Sequence, residues 1–531
     1  MKKLLSIAAM LLIAAPVVVF RQPVAKPQTY VPKAELCVGN VTTNVLCSKL
    51  PAYIGPDPPL EKALLGYKGL FAGLPQSKDT DVETPFDNMA WQMFVALNWA
   101  ASEVDQPPSR GLTMPGTRVF QKYRKVSSLF HDPNAKIAAC PSTIVVPKFF
   151  IGSDNSGKPS PNHEEYLQAS TNLPLIDVNG NWTIFERRVN DIEAQYLLAP
   201  NNDPTQTLTT MTGQGRFIAS NPNGARFTAS DASQTGKVGS IEIKTAWRII
   251  DPRTGDDPSR YFTQTAIIGV RSNLVKTGQQ FCTSVTLGLV GMHIIQRNPV
   301  DPKNPQLLPK WIWATFEHVD NAPVAQSPCD VGNPLGCPGP SWLNQPSCGP
   351  AKPESGIRYS YYKPLSGTQA TNIRPRSPRA STDQPQFYWN RTQPYATGNT
   401  TADTAMPQAT RCFSIYQTTD QLNTQWRKAL ADVKSPFQYY MLVGTQWGAN
   451  VEHAGVQVMP TDAVPDMLSN ITLETYIQNN TKFGPNGGPG SCISCHAVAK
   501  LPAGTKPQSD FSFLPSLAKP ETARSLFETP K

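Results

Sequence analysis

Between Gly239 and Ile250 the chain repeats with a period of two residues, and this constrains the fold more than any other feature. In "GSIEIKTAWRII" the residues Ile241, Ile243, Thr245, Trp247 and Ile249 alternate with Glu242, Lys244, Ala246 and Arg248. That pattern predicts a strand with one buried face. The segments "RYFTQTAIIGV", "CTSVTLGLVGMHIIQ", "KWIWATFEHVD" and "FQYYMLVGTQW" read as further strands. Strands over 182–320 and 437–447 predict an antiparallel sheet assembly, so the expected fold class is α+β and β-rich, with helices flanking the sheet body.

The chain has 531 residues with 52 prolines, 35 glycines and only 16% charged residues, which favours turns and long loops over a helical bundle. Its length allows about two to four domains or one large decorated one. The clearest helix is "ETPFDNMAWQMFVALNWAA", with Thr84 as cap and Pro85 at the first helical position. Phe86, Ala90, Met93, Phe94 and Leu97 recur at helical spacing, and Trp91 and Val95 broaden the stripe, so it should be buried on most sides. A second helical pattern runs through "RRVNDIEAQYLL", where Val189, Ile192 and Tyr196 share a face. Residues 322–411 are rich in Pro, Ser, Thr, Gly and Asn and hold Cys329, Cys337 and Cys348; they read as a surface excursion pinned by disulfides. The expected organisation is a leader over 1–25, a proline-rich segment over 26–80, an α+β body over 81–320, a loop-rich excursion over 321–411 and a C-terminal strand and helix segment over 412–531.

The opening "MKKLLSIAAMLLIAAPVVVF" has the layout of a secretory signal peptide ending near Ala25. This predicts a periplasmic or secreted protein, touching a membrane only if the segment is kept as an anchor. The net charge of +9 includes Lys2, Lys3 and Arg21 of that leader, and no dense Lys/Arg run accompanies it. A nucleic-acid surface is therefore not expected. Of the ten cysteines, all but Cys492 and Cys495 form an even set suited to an oxidising compartment. Cys37 and Cys47, close in sequence, are the pairing to expect; the other connectivity cannot be deduced.

The most chemical stretch is "GPGSCISCHAVAK", residues 488–500. Cys492 and Cys495 lie three apart, so on a helical turn both thiols face one way, and His496 follows at once. This is the geometry for one covalent c-type haem, with two thioethers to its vinyl groups and His496 as proximal iron ligand. A thioredoxin-like redox pair would want a strand leading into a helix, whereas a flexible "FGPNGGPGS" precedes this one. A zinc site would need two further ligands nearby. Only 35 residues follow His496, and they contain neither Met nor His, so earlier sequence must cover the haem. Candidates for the distal ligand are His293 and His318, inside apolar strands, and His453 and Met459, nearer in sequence, with Met467 beside them; a vacant or water-bearing iron is the further alternative. His131 and His163 read as surface residues. Trp311, Trp313 and Glu317 should point to the opposite strand face from His318, where they could serve as core packing, a haem edge or an electron path.

Taken together, "WQMFVALNW", "GSIEIKTAWRII", "GLVGMHIIQR", "WIWATFEHVDN", "LVGTQW" and "SCISCHAVA", scattered from residue 91 to 499, resemble large exported bacterial cytochrome c family proteins with a single C-terminal haem motif. The resemblance implies a mono-haem cytochrome of the cell envelope with haem on Cys492, Cys495 and His496; it implies no substrate, and the loop around Cys329 to Cys348 has no counterpart in it. Three readings of function follow. The first is one-electron transfer with a redox partner protein. The second is a haem enzyme of peroxidase or oxygenase type acting on a small-molecule substrate at an open iron. The third is a haem-based redox sensor or binding protein. The sequence contains no nucleophile triad, phosphate loop or nucleotide fingerprint.

Overall fold

The structure is a computed structural model, and it describes residues 46–52, 83–130, 140, 146–151, 166–168, 174–231, 237–275, 278–298, 311–329, 350–363, 372, 408–448, 463–464, 468–478, 492–504 and 509–518. In chain order, its main elements are α1 (Glu83–Leu97), β1 (Arg124–Lys125), β2 (Lys148–Ile151), β3 (Ile184–Val189), α2 (Asp191–Leu198), α3 (Met211–Ser220), β4 (Ile241–Ile249), β5 (Thr263–Val270), β6 (Phe281–Arg297), β7 (Trp311–His318), β8 (Val324–Cys329), β9 (Ala351–Lys352), β10 (Arg411–Phe413), α4 (Gln417–Asp432), β11 (Tyr440–Gly448), β12 (Ala463–Val464) and α5 (Cys492–His496).

The expected strands all form and join one sheet in the order β1-β3-β4-β6-β7-β11-β12, with β5 also pairing with the early part of β6. Every pair along this path is antiparallel, as anticipated; β2 against β5 and β10 against β8 are parallel. β6 is the spine. Its register sets His293 opposite Lys244 of β4 and Thr315 of β7, and Ile295 opposite Glu242 and Trp313. β11 then sets Gln446 opposite Trp313. Because side chains alternate along a strand, His293, Ile295, Arg297, Trp311, Trp313 and Glu317 share one face.

Both faces are covered. On one side Met292, Ile294, Ile312, Ala314 and Phe316 pack under Trp91 and Phe94 of α1 and Trp426 of α4 in the largest apolar cluster. On the other, Ile295, Trp311 and Trp313 pack with Leu197 of α2, Phe217 of α3 and Ile493 of α5. A third cluster joins Ala246 and Val290 to Ile471, Leu473 and Tyr361. This corrects the expectation that β4 buries one face only. Glu242 and Arg248 are buried as well, Arg248 between Asp177 at 2.8 Å and Asp256 at 2.9 Å.

Three local readings also change. The "RRV" of the second helical pattern is the end of β3, because Asn190 accepts from the Glu193 N–H and caps α2 there. α1 begins at Glu83, which puts Thr84 inside the first turn. The described parts of 321–411 are built into the body: β8, β9 and β10 form a small sheet, and Tyr361 is fully buried against Thr183. Cys140 is bonded to Cys282 across 142 residues, and Cys47 and Cys412 are also disulfide-bonded, with partners outside the described side chains. Residues 1–25, read in sequence as a leader, and Cys37, Cys337, Cys348, His131, His163, His453, Met459 and Met467 lie outside the described residues. No described helix is long and apolar enough to cross a membrane.

Candidate functional site around Cys492 to Phe513

α5 is a single turn that carries Cys492, Cys495 and His496. The backbone N–H of Ile493 donates to the Gln446 side chain at 2.9 Å, tying the turn to β11, and Ile493 itself is buried in the second cluster. The Cys492 thiol lies 3.7 Å from the Leu468 carbonyl. Burial raises its pKa well above the ordinary thiol value, and the nearby Glu474 charge adds to the effect. A thiol held protonated in this way is a poor disulfide-exchange nucleophile.

His496 is oriented from behind. Its Nδ1 lies 2.7 Å from the Phe511 carbonyl, an acceptor only, so the proton sits on Nδ1 and Nε2 keeps its lone pair. Trp313 and Phe513 stand edge-on to the imidazole at 5.2 and 4.9 Å. Burial pushes the imidazole down to about 4, against the Phe511 hydrogen bond. It is therefore neutral at ordinary pH, the state in which histidine binds metals. The segment that supplies the carbonyl is strained: Asp510 and Phe511 have φ of 45° and 69°, a region costly for a bulky side chain. The Asp510 carboxylate holds this turn by accepting from the Phe227 N–H at 2.9 Å and from Arg297 Nε at 3.2 Å.

Beside the motif the same sheet face carries a buried histidine–carboxylate pair. His293 Nε2 meets Glu474 Oε1 at 2.8 Å, and the other Glu474 oxygen accepts from the Asn470 N–H at 2.9 Å. Burial works to raise the Glu474 carboxyl and is the largest single effect, but the His293 charge, the hydrogen bonds from His293 and the Asn470 N–H, and the Lys244 charge together outweigh it, and the net shift is downward. His293 also lies close enough to His496 for its charge to oppose protonation there. Residues 470–474 reach the strand because position 291 is glycine: a Cβ there would stand 2.1 Å from Thr472 Oγ1. The remaining His293 nitrogen, Nδ1, is buried without a hydrogen-bond partner.

Of the sequence-predicted residues, Cys492, Cys495, His496, His293 and Trp313 are thus gathered on one side of the sheet. His318 is not. It points to the opposite face, donates through Nε2 to the Arg260 carbonyl at 2.8 Å, accepts at Nδ1 from the Asp320 N–H at 3.1 Å and stacks on Tyr261 at 4.1 Å. With both nitrogens engaged it is a satisfied core histidine. Glu317, on the motif face, is consumed by Arg411 and the Ile471 N–H. Glu474, Gln446, Asp510 and Phe511 were not anticipated. "NITLETYIQN" reads as helix-like in sequence, yet it is a turn followed by a short 3₁₀ segment at Thr475–Ile477.

These groups fit a haem attached at α5. The two thiols and the imidazole share one turn, the imidazole presents Nε2, aromatic rings line it, and the buried His293 Nδ1 nearby has no hydrogen-bond partner. Among the described residues no group of three or more His, Cys, Asp or Glu side chains could hold a bare metal ion; a haem needs none, since the porphyrin brings its own equatorial nitrogens. Comparison with known proteins finds no matching family model, curated protein or solved structure.

Proposed function

We propose that this chain is an exported mono-haem c-type cytochrome that passes single electrons to or from a partner protein, with haem held by Cys492 and Cys495 and iron by His496 Nε2. The observation that carries the reading is the Nδ1 bond of His496 to the Phe511 carbonyl at 2.7 Å. A carbonyl behind a ligating imidazole fixes its tautomer and ring plane and raises its basicity, which is how proteins commonly prepare a histidine for a metal. When bound, the haem supplies an iron that changes oxidation state by one electron. The chain's part is to hold and shield it: Trp313 and Phe513 flank the imidazole, and the surrounding apolar cluster of Trp311, Ile493 and Leu514 excludes water. The leader-like N-terminus agrees with haem attachment outside the cytoplasm.

A haem enzyme with a small-molecule substrate is the second reading. It is favoured by the His293–Glu474 pair, a proton-bearing group that an electron carrier does not need at its iron. The test is the optical spectrum of the purified chain after denaturation in pyridine. One haem per chain that survives acid–acetone extraction is expected. Cys492→Ala with Cys495→Ala should abolish covalent retention, and His496→Ala should keep the thioethers but lose the native spectrum. Extractable haem, or none, in the unaltered protein sinks the proposal.

A further inference from the structure

The carbonyl that holds His496 belongs to a turn that one of its own residues disfavours. The Ser512 N–H donates to the Ser509 carbonyl at 3.0 Å, and the two residues between them, Asp510 and Phe511, both have positive φ, 45° and 69°. A turn with positive φ at both central positions is normally built on Asn, Asp or Gly. Asp510 suits its place. Phe511 does not, and holding a bulky side chain in this region costs about 1–3 kcal/mol. Left to itself the turn would relax towards negative φ, which re-aims its peptide units and takes the Phe511 carbonyl off His496 Nδ1.

A clamp on Asp510 opposes that relaxation. Its Oδ2 accepts from the Phe227 N–H at 2.9 Å and from Arg297 Nε at 3.2 Å, so one oxygen ties the turn both to the loop after α3 and to the end of β6. Both side chains of the ion pair are 8% exposed, and water therefore competes little for these bonds. Arg297 also lies over the Trp311 ring at 5.8 Å, Trp311 packs on Trp313 at 6.1 Å, and Trp313 meets His496 at 5.2 Å and Phe511 at 6.3 Å. The guanidinium thus braces the carbonyl behind the imidazole and the rings beside it.

We propose that the Arg297–Asp510 pair positions His496: by holding the 509–512 turn in its positive-φ form it keeps the Phe511 carbonyl on Nδ1, and so sets how strongly the imidazole donates to a haem iron. The proposal rests on the haem reading above and makes Asp510 and Arg297 positioning residues that act through Phe511. A carbonyl on Nδ1 raises the basicity of a ligating imidazole, which favours ferric over ferrous iron.

The test compares Asp510→Gly with Asp510→Asn in the full-length haem protein. Glycine tolerates positive φ but has no oxygen to clamp, and Phe511 remains to pull the turn over; asparagine also tolerates positive φ and keeps an oxygen acceptor. Two quantities are read: solvent exchange of the Nδ1 proton of the haem-ligated imidazole, by NMR of the reduced protein, and the midpoint potential, by optical redox titration. Asp510→Gly should exchange that proton about tenfold faster and raise the potential by about 59 mV, a tenfold loss of ferric preference. Asp510→Asn should keep most of the protection. Arg297→Lys, which keeps the charge but loses the fixed direction of the guanidinium, should lie between the two, and it carries the test if Asp510→Gly does not fold. Unchanged exchange in both Asp510→Gly and Arg297→Lys overturns the proposal, because the turn would then hold its carbonyl unaided. So does equal loss of protection in the glycine and asparagine variants, since the charge of Asp510 and not its grip on the turn would be at work. A chain without covalent haem is a different result, which removes the haem reading itself and this inference with it.

Discussion

On one face of the central sheet Phe86 stacks on Trp447 with ring centroids 3.7 Å apart, and Trp91 stacks on Trp426 at 5.8 Å while meeting Phe316 edge-on at 5.0 Å. On the other face Trp313 meets not another core ring alone but the imidazole of His496. The same strands build both faces, yet the bonding differs. The two central indoles on the α1/α4 side have acceptors, Trp91 in Asn423 at 3.0 Å and Trp426 in Asn88 at 3.1 Å. Each side still leaves a buried indole N–H unbonded, Trp447 on the α1/α4 side and Trp311 on the motif side; the motif side adds the unpartnered His293 Nδ1 and two successive residues held at positive φ. The difference therefore lies in backbone strain and in a buried histidine–carboxylate pair beside the motif, features of the kind that cluster at functional sites.

The largest expected effect breaks the packed face. Trp91 is fully buried in the main cluster, so Trp91→Ala should cost about 3–5 kcal/mol of stability. Urea unfolding measures the loss, and the haem spectrum of the folded fraction should not change. Trp313→Ala should also destabilise, but with altered bands of the proposed haem, because Trp313 flanks His496. Equal spectral change in the two variants would mean that the faces are not functionally separate.

Next in size is the histidine–carboxylate pair. Glu474→Ala leaves His293 buried without its carboxylate and should cost about 3 kcal/mol, the usual penalty for breaking one half of a buried pair. The sign with pH follows from Glu474 having its carboxyl lowered by folding, against its burial, through the combined charges of His293 and Lys244 and the hydrogen bonds from His293 and Asn470. A carboxyl lowered in the folded state contributes stability that is present above its unfolded value, near 4.3, and is lost as pH falls through the folded value. The difference between Glu474 and Glu474→Ala should therefore shrink in acid. A gap that stays constant from neutral pH down to acid unfolding would show that Glu474 acts by packing alone.

The alternation in "GSIEIKTAWRII" and the apolar runs beyond it made the sheet legible, because strand periodicity is a local signal. The thiols and imidazole of the motif were legible for the same reason: they are neighbours in sequence. What stayed hidden is long-range. Glu474 reaches His293 across 181 positions, Gln446 reaches Ile493 across 47, and Cys140 finds Cys282 across 142. The burial of Glu242 was hidden too, since a polar residue in an alternating strand reads as solvent-facing until a second layer is known to cover it. His293 and His318 looked alike in sequence, each on an apolar strand. Register separates them: His293 shares the face of Trp313 and keeps an unbonded nitrogen, while His318 takes the other face and has none to spare.

The smallest effect concerns that hidden layer. Glu193 of α2 is fully buried against Glu242, and burial, followed by the charge of Glu242 and the hydrogen bond between the two carboxyls, raises its carboxyl well above the ordinary value. A carboxyl raised by folding is harmless below its unfolded value, where both states are protonated. Its cost grows as pH climbs towards the folded value, because only the unfolded chain can then release the proton freely. Glu193→Gln keeps the shape and the neutral form at every pH. It should match the unaltered protein near pH 4 and become the more stable of the two towards neutrality. Thermal unfolding at several pH values reads this directly. A variant less stable throughout would mean that the Glu193 carboxyl is held through its bond to Glu242 at every pH, and that this part of the motif face is built for packing like its opposite.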